Sequence, residues 1–114
     1  MRVLALVAAL DAAGTIGDVV TKTREVLPDV VVVDDGSEDA TADVAERSGA
    51  TVLRHQENRG KGAALRSGFG YALQLGFDAV VTLDADGQHD PEQIQALLRR
   101  KAESGAMLVI GERT

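Results

Sequence analysis

Residues 30–33 are four consecutive valines, followed at once by Asp34, Asp35, Gly36 and Ser37. An uninterrupted β-branched run presents no polar face to water. It therefore reads as a parallel strand covered on both sides. Such a strand needs helices above and below it, and the flanking sequence offers them. Residues 16–27 place Ile16, Val19, Val20, Thr23 and Leu27 at helical spacing, with Pro28 and Asp29 as the stop. Residues 39–47 read as a second helix, with Gly49 suited to its exit.

The alternation continues in both directions. Residues 3–8, 51–53, 79–83 and 107–110 read as further strands, and 61–75 and 90–103 as further helices. Asp90 is a capping residue and Pro91 suits a first helical turn. The expected fold class is α/β: Rossmann-like alternating βα units with a mainly parallel sheet and right-handed crossovers. Arg2 followed by residues 3–10 loosely resembles a basic leader with a short apolar stretch, but a buried first strand fits the alternation better. The 114 residues suit a single domain over 1–114. With 3% aromatic residues, its core must be aliphatic.

Charge and composition narrow the function. Lys and Arg total 12 against 18 Asp and Glu, a formal charge of −6, which argues against a general nucleic-acid binder. A phosphate ligand stays compatible with that balance, because a divalent cation reverses the local sign. The absence of cysteine removes disulfides and thiolate chemistry and fits a cytoplasmic location. No apolar run approaches the roughly 20 residues that span a bilayer.

In open α/β sheets ligands sit beyond the carboxyl ends of the strands, and the unusual residues fall there. Asp84, Asp86 and Gln88 stand at i, i+2 and i+4, so in extended chain their oxygens face one side, a donor set suited to Mg²⁺ or Mn²⁺. A polar loop leading to a cap at Asp90 is the plainer alternative. Asp34 and Asp35 close the valine strand, where an acidic residue often accepts from a ribose or base; helix capping by Ser37 or Asp39 is the alternative. Asn58-Arg59-Gly60-Lys61-Gly62 opens a helix with cations and amides suited to an anion, or is simply a basic loop. Gly68 and Gly70, poor helix formers, point to close packing. His55 and His89 lack a second histidine at ligand spacing and read as loop or cap residues.

Taken in order, Val31 to Ser37 with Asp39 and Thr41, Asn58 to Leu65, and Leu83 to His89 with Pro91 and Glu92 resemble the donor-binding part of family 2 glycosyltransferases of the GT-A fold. Within that family they are most similar to polyprenyl-phosphate or dolichol-phosphate mannosyl- and glucosyltransferases. The resemblance implies a nucleotide-diphosphate sugar of the GDP-mannose or UDP-glucose type and inverting transfer of a hexose to an acceptor such as polyprenyl phosphate. It implies that Ala8, Leu10, Ala12, Asp34, Asp35, Lys61, Ala85 and Arg113 lie at the donor site, and that Asp84, Asp86 and Gln88 hold Mg²⁺ or Mn²⁺.

The resemblance also implies a longer whole protein, placed at the cytoplasmic membrane face, of which this chain is the donor-binding part; its uncovered apolar surface makes a homo-oligomer plausible. The family usually has Pro-Ala-(Leu/Tyr)-Asn-Glu after its first strand. Here the Pro, Asn and Glu positions hold Ala8, Asp11 and Ala12, so donor binding is expected to be weakened by about 1–3 kcal/mol for a lost carboxylate contact. Two other readings compete: a non-catalytic nucleotide-sugar-binding module, and a phosphoacceptor receiver domain. The second fits poorly, because its acidic pair would follow the first strand and its Lys would stand where Arg113 is.

Overall fold

The structure is a computed structural model that describes residues 2–86 and 108–111. Its elements run β1 (Val3–Ala9), α1 (Ile16–Arg24), β2 (Val30–Asp34), α2 (Thr41–Arg47), β3 (Thr51–Arg54), α3 (Lys61–Gln74), β4 (Ala79–Asp84) and β5 (Leu108–Gly111). The strands form one sheet in the order β3-β2-β1-β4-β5, and every pairing is parallel. The helix expected over 90–103 lies outside the described residues.

The valine strand is buried along its whole length, as its composition requires. Its side chains alternate between two cores. Val30 and Val32 join Ala5, Val7, Val81 and Leu83 beneath Ile16, Val19 and Val20 of α1 and Ala45 of α2. Val31 and Val33 join Leu4, Leu6 and Val80 beneath Ala64 and Ala72 of α3, with Phe77. One face thus carries α1 and α2 and the other carries α3. The segment after Arg2 is the central strand, β1.

Two helices are shorter than their periodicity indicates. Helix α1 ends at Arg24, although Leu27 remains in the core and its N–H still bonds to the Thr23 carbonyl. Helix α2 begins at Thr41 because residues 37–39 are committed to loop contacts. Gly68 is where α3 comes closest to the sheet: a Cβ there would meet Leu6 Cδ1 at 2.2 Å. Gly70 has no such neighbour among the described residues. Arg2 staples the α3–β4 corner. Its N–H donates to Asp78 (2.7 Å), its Nη1 to the Leu75 carbonyl (2.7 Å), and its guanidinium lies 4.4 Å from the Phe77 ring centroid.

Candidate active site at the carboxyl edge of the sheet

The strand register brings the acidic residues to the tip of β1. Ala9 pairs with Asp34 on one side and Ala8 with Asp84 on the other, so the two residues flank β1 with their backbones about 10 Å apart at ordinary strand spacing. Three loops converge there.

The loop after β1 is laced to the loop after β2. Asp11 N–H donates to Ser37 Oγ (2.8 Å), Ala12 N–H to Thr41 Oγ1 (2.8 Å), Ala13 N–H to Asp39 Oδ2 (3.1 Å), and Glu38 N–H to Asp11 Oδ1 (2.8 Å). Asp39 also accepts from the Thr41 amide and hydroxyl. The Thr41 hydroxyl, with the Ala13 and Thr41 amides, outweighs the opposing loss of water and holds the Asp39 carboxyl below its ordinary range. Thr15 ties the same loop to β4 through the Ala85 carbonyl (2.6 Å). Asp11 takes a left-handed conformation at φ 49°, a region where Asp is enriched among non-glycine residues.

Asp35 organises the loop after β3. Its Oδ1 accepts from Arg59 N–H (2.9 Å) and faces His55 Nδ1 (2.8 Å), and its Oδ2 accepts from Gly60 N–H (2.8 Å). Burial at 4% exposure pushes its carboxyl upward. The Arg59 amide, the His55 ring and the Gly60 amide outweigh that and hold it below the usual range. Because a carboxylate only accepts, His55 Nδ1 carries the proton; the other ring nitrogen faces Ser67 Oγ at 2.8 Å. Gly36 makes room for this loop. It sits at φ 81°, and a Cβ would come 2.6 Å from Asn58 N.

The result is an open cleft of about 280 Å³ on the α3 side of β1, lined by Ala8, Ala9, Leu10, Asp35, Asn58, Gly60, Lys61 and Ala64. Leu10 stands 46% exposed at it. Lys61 connects the cleft to β4, its Nζ 3.3 Å from Asp84 Oδ1. The structure therefore unites Ala8, Leu10, Asp35, Lys61 and Asp84. Ala12 and Ala85 do not line the cleft but pack against the core beneath α1 and α2. Asp34 is sealed at 0% exposure. One of its oxygens accepts from Ser37 N–H (2.9 Å); the other has no hydrogen-bond partner among the described residues, with Arg54 Nε 3.8 Å away. Asp86 is exposed. Gln88, His89 and Arg113 lie outside the described residues. The roles of His55 and Ser67 were not legible in sequence, since nothing in their spacing of 12 residues marks them as partners of Asp35.

Residues 5–114 match the profile of glycosyl transferase family 2. The chain belongs to that family. This family 2 chain is 38% identical over 120 residues to the undecaprenyl-phosphate mannosyltransferase of Micrococcus luteus, an alignment covering 99% of the chain and 49% of the relative. It is also 38% identical over 90 residues to the polyprenol monophosphomannose synthase of Mycolicibacterium smegmatis, covering 74% of the chain and 34% of that protein. Among solved structures it resembles glucosyl-3-phosphoglycerate synthase from Mycobacterium tuberculosis in complex with Mn²⁺, UDP-glucose and phosphoglyceric acid. There the TM-score is 0.77 and the identity 25%, over 90% of this chain and 40% of that one. The same enzyme is known with Mg²⁺ and UDP. The chain spans about half the length, or less, of these relatives.

Proposed function

We propose that the chain is the donor-binding part of an inverting glycosyltransferase that takes a nucleotide-diphosphate sugar with Mg²⁺ or Mn²⁺. In the whole protein the hexose would pass to a polyprenyl-phosphate acceptor at the cytoplasmic membrane face. The observation that carries this reading is the juxtaposition of an apolar cleft, a cation and a strand-end carboxylate: Leu10 and Ala8 beside Lys61, with Lys61 against Asp84. The M. luteus and M. smegmatis relatives, named for transfer to lipid phosphates, support the acceptor class. The mycobacterial complexes support the donor and the metal.

In this reading Ala8, Ala9, Leu10 and Ala64 supply an apolar slot for the planar base. Asp35 acts from behind, holding the 58–60 backbone that forms one wall, and Asp34 supports the turn at Ser37. Lys61 meets the diphosphate. The Asp84 surroundings fit a hard cation: its oxygen already has an ammonium against it, and its carboxylate stays partly exposed at 30%. Asp84, Asp86 and Gln88 would hold the metal, whose bound form neutralises charge growing on the leaving nucleoside diphosphate. Among the described residues no three acidic, His or Cys side chains cluster, so substrate oxygens and water would complete its shell. Arg113 is a further candidate for a phosphate contact.

A second reading, a binding module without turnover, is favoured by Ala12, which puts no carboxylate where the family usually has Glu. Calorimetry with GDP-mannose, UDP-glucose and UDP-GlcNAc, with and without Mn²⁺, tests the proposal. Metal-dependent binding of at least one donor, lost in Asp84→Ala, is the expected result. Equal heats in Asp84→Ala and the unsubstituted chain would reject the site. Binding with no transfer in the full-length protein would favour the module.

A further inference from the structure

The cations of the β3–α3 region do not all serve the donor cleft. Four of the chain's 12 Lys and Arg fall within residues 54–66, against one acid, Glu57, in a chain whose net charge is −6. Lys61 turns to the donor cleft and Asp84. Arg59 and Arg66 instead line a different cleft of about 500 Å³ with Ala63 and Ser67, which no acidic side chain lines. Among the described residues neither guanidinium has an ion-pair partner. Arg59 also borders an adjoining cleft with Arg54, His55, Gln56 and Glu57.

The polar floor of this second cleft is held in place. Ser67 is fixed by the nine-tenths-buried His55, which Asp35 fixes in turn. Two guanidinium forks lining one cleft with no acidic side chain are the groups that recognise a tetrahedral oxyanion. We propose that the cleft between Arg59 and Arg66 binds a phosphate group, of a lipid headgroup or of a soluble phosphate, at a site separate from the donor cleft. Both arginines donate to the phosphate oxygens. The Ser67 hydroxyl spends its one proton on His55 Nε2, and a phosphate charge beside that hydroxyl polarises the bond, so the His55 ring reports occupancy.

The test uses the 114-residue chain and inorganic phosphate, followed by NMR of the His55 ring, with sodium chloride at matched ionic strength as control. A saturable shift with phosphate and none with chloride is expected. In Arg59→Gln/Arg66→Gln the apparent affinity should fall at least about tenfold, the scale of losing charge-assisted bonds. Arg47→Gln, on the exposed end of α2, should leave it unchanged. Co-sedimentation with phosphatidylcholine vesicles, with and without phosphatidylglycerol, separates the sources. Arginine-dependent capture by phosphatidylglycerol assigns the site to a headgroup; a response to inorganic phosphate alone assigns it to a soluble phosphate. A non-saturating shift, or equal affinity in the double variant, overturns the proposal. Nucleotide binding measured on the same double variant should be intact, so failure here and failure of the donor reading are told apart.

Discussion

At the residue scale, Asp35 does more than its place at a strand end indicates. Its two oxygens hold three groups from the β3–α3 loop, so one buried carboxylate sets a wall of the Leu10–Lys61 cleft. Removing it in Asp35→Ala leaves the Arg59 amide without its acceptor and the Gly60 amide with Asn58 Oδ1 alone, at a cost of about 1–3 kcal/mol. The pH dependence has a definite sign. A carboxyl held below its ordinary range when folded stabilises fully above its unfolded value, near about 4, and that contribution disappears as pH falls through the folded value. Urea unfolding between pH 6 and pH 3 should show a steeper loss of stability in the unsubstituted chain than in Asp35→Asn; parallel curves would show that the folded carboxyl is not depressed. The acidic pair was legible as important because two aspartates close an apolar strand. Their division of labour was not, because the partners of Asp35 lie 20 to 25 residues away and only the fold brings them in.

At the scale of elements, the four-valine run carried most of the information. A strand apolar on both faces demands helices on both, and the alternation of periods supplied them in order. What periodicity could not give was the trim of the helices. Residues 37–39 lead into the helix but are claimed by Asp11 and Ala13 of the neighbouring loop. Helix α3 shows the same contest between propensity and packing. Gly68→Ala improves helix propensity yet drives a methyl into Leu6, so a net loss of about 1–3 kcal/mol is expected. Gly70→Ala meets nothing within 4 Å and should gain about 0.5–1 kcal/mol. Thermal melts of the two variants moving in opposite directions would confirm where α3 touches the sheet; a stabilising Gly68→Ala would contradict the packing.

At the scale of the whole molecule, the strand order places β1 at the centre, and the acidic ends of β2 and β4 on either side of it. That arrangement follows from topology alone and is why widely separated motifs could be read as one site. No helix among the described residues is long and apolar enough to cross a membrane. In the proposed reading, acceptor recognition belongs to the regions of the longer relatives that this chain does not cover. The isolated chain should accordingly bind donor but transfer little sugar to polyprenyl phosphate; a radiolabel assay giving turnover comparable to the full-length protein would show that the acceptor machinery is already here. In the proposed site the Asp84 carboxylate and the Leu10–Lys61 cleft together hold a metal-bound diphosphate. A crystal soaked with MnCl₂ and UDP-glucose or GDP-mannose tests it most directly. The account predicts an anomalous manganese peak in bonding range of Asp84, with the base against Leu10 and the diphosphate near Lys61. Manganese bound elsewhere, or a nucleotide seated away from that cleft, would contradict it.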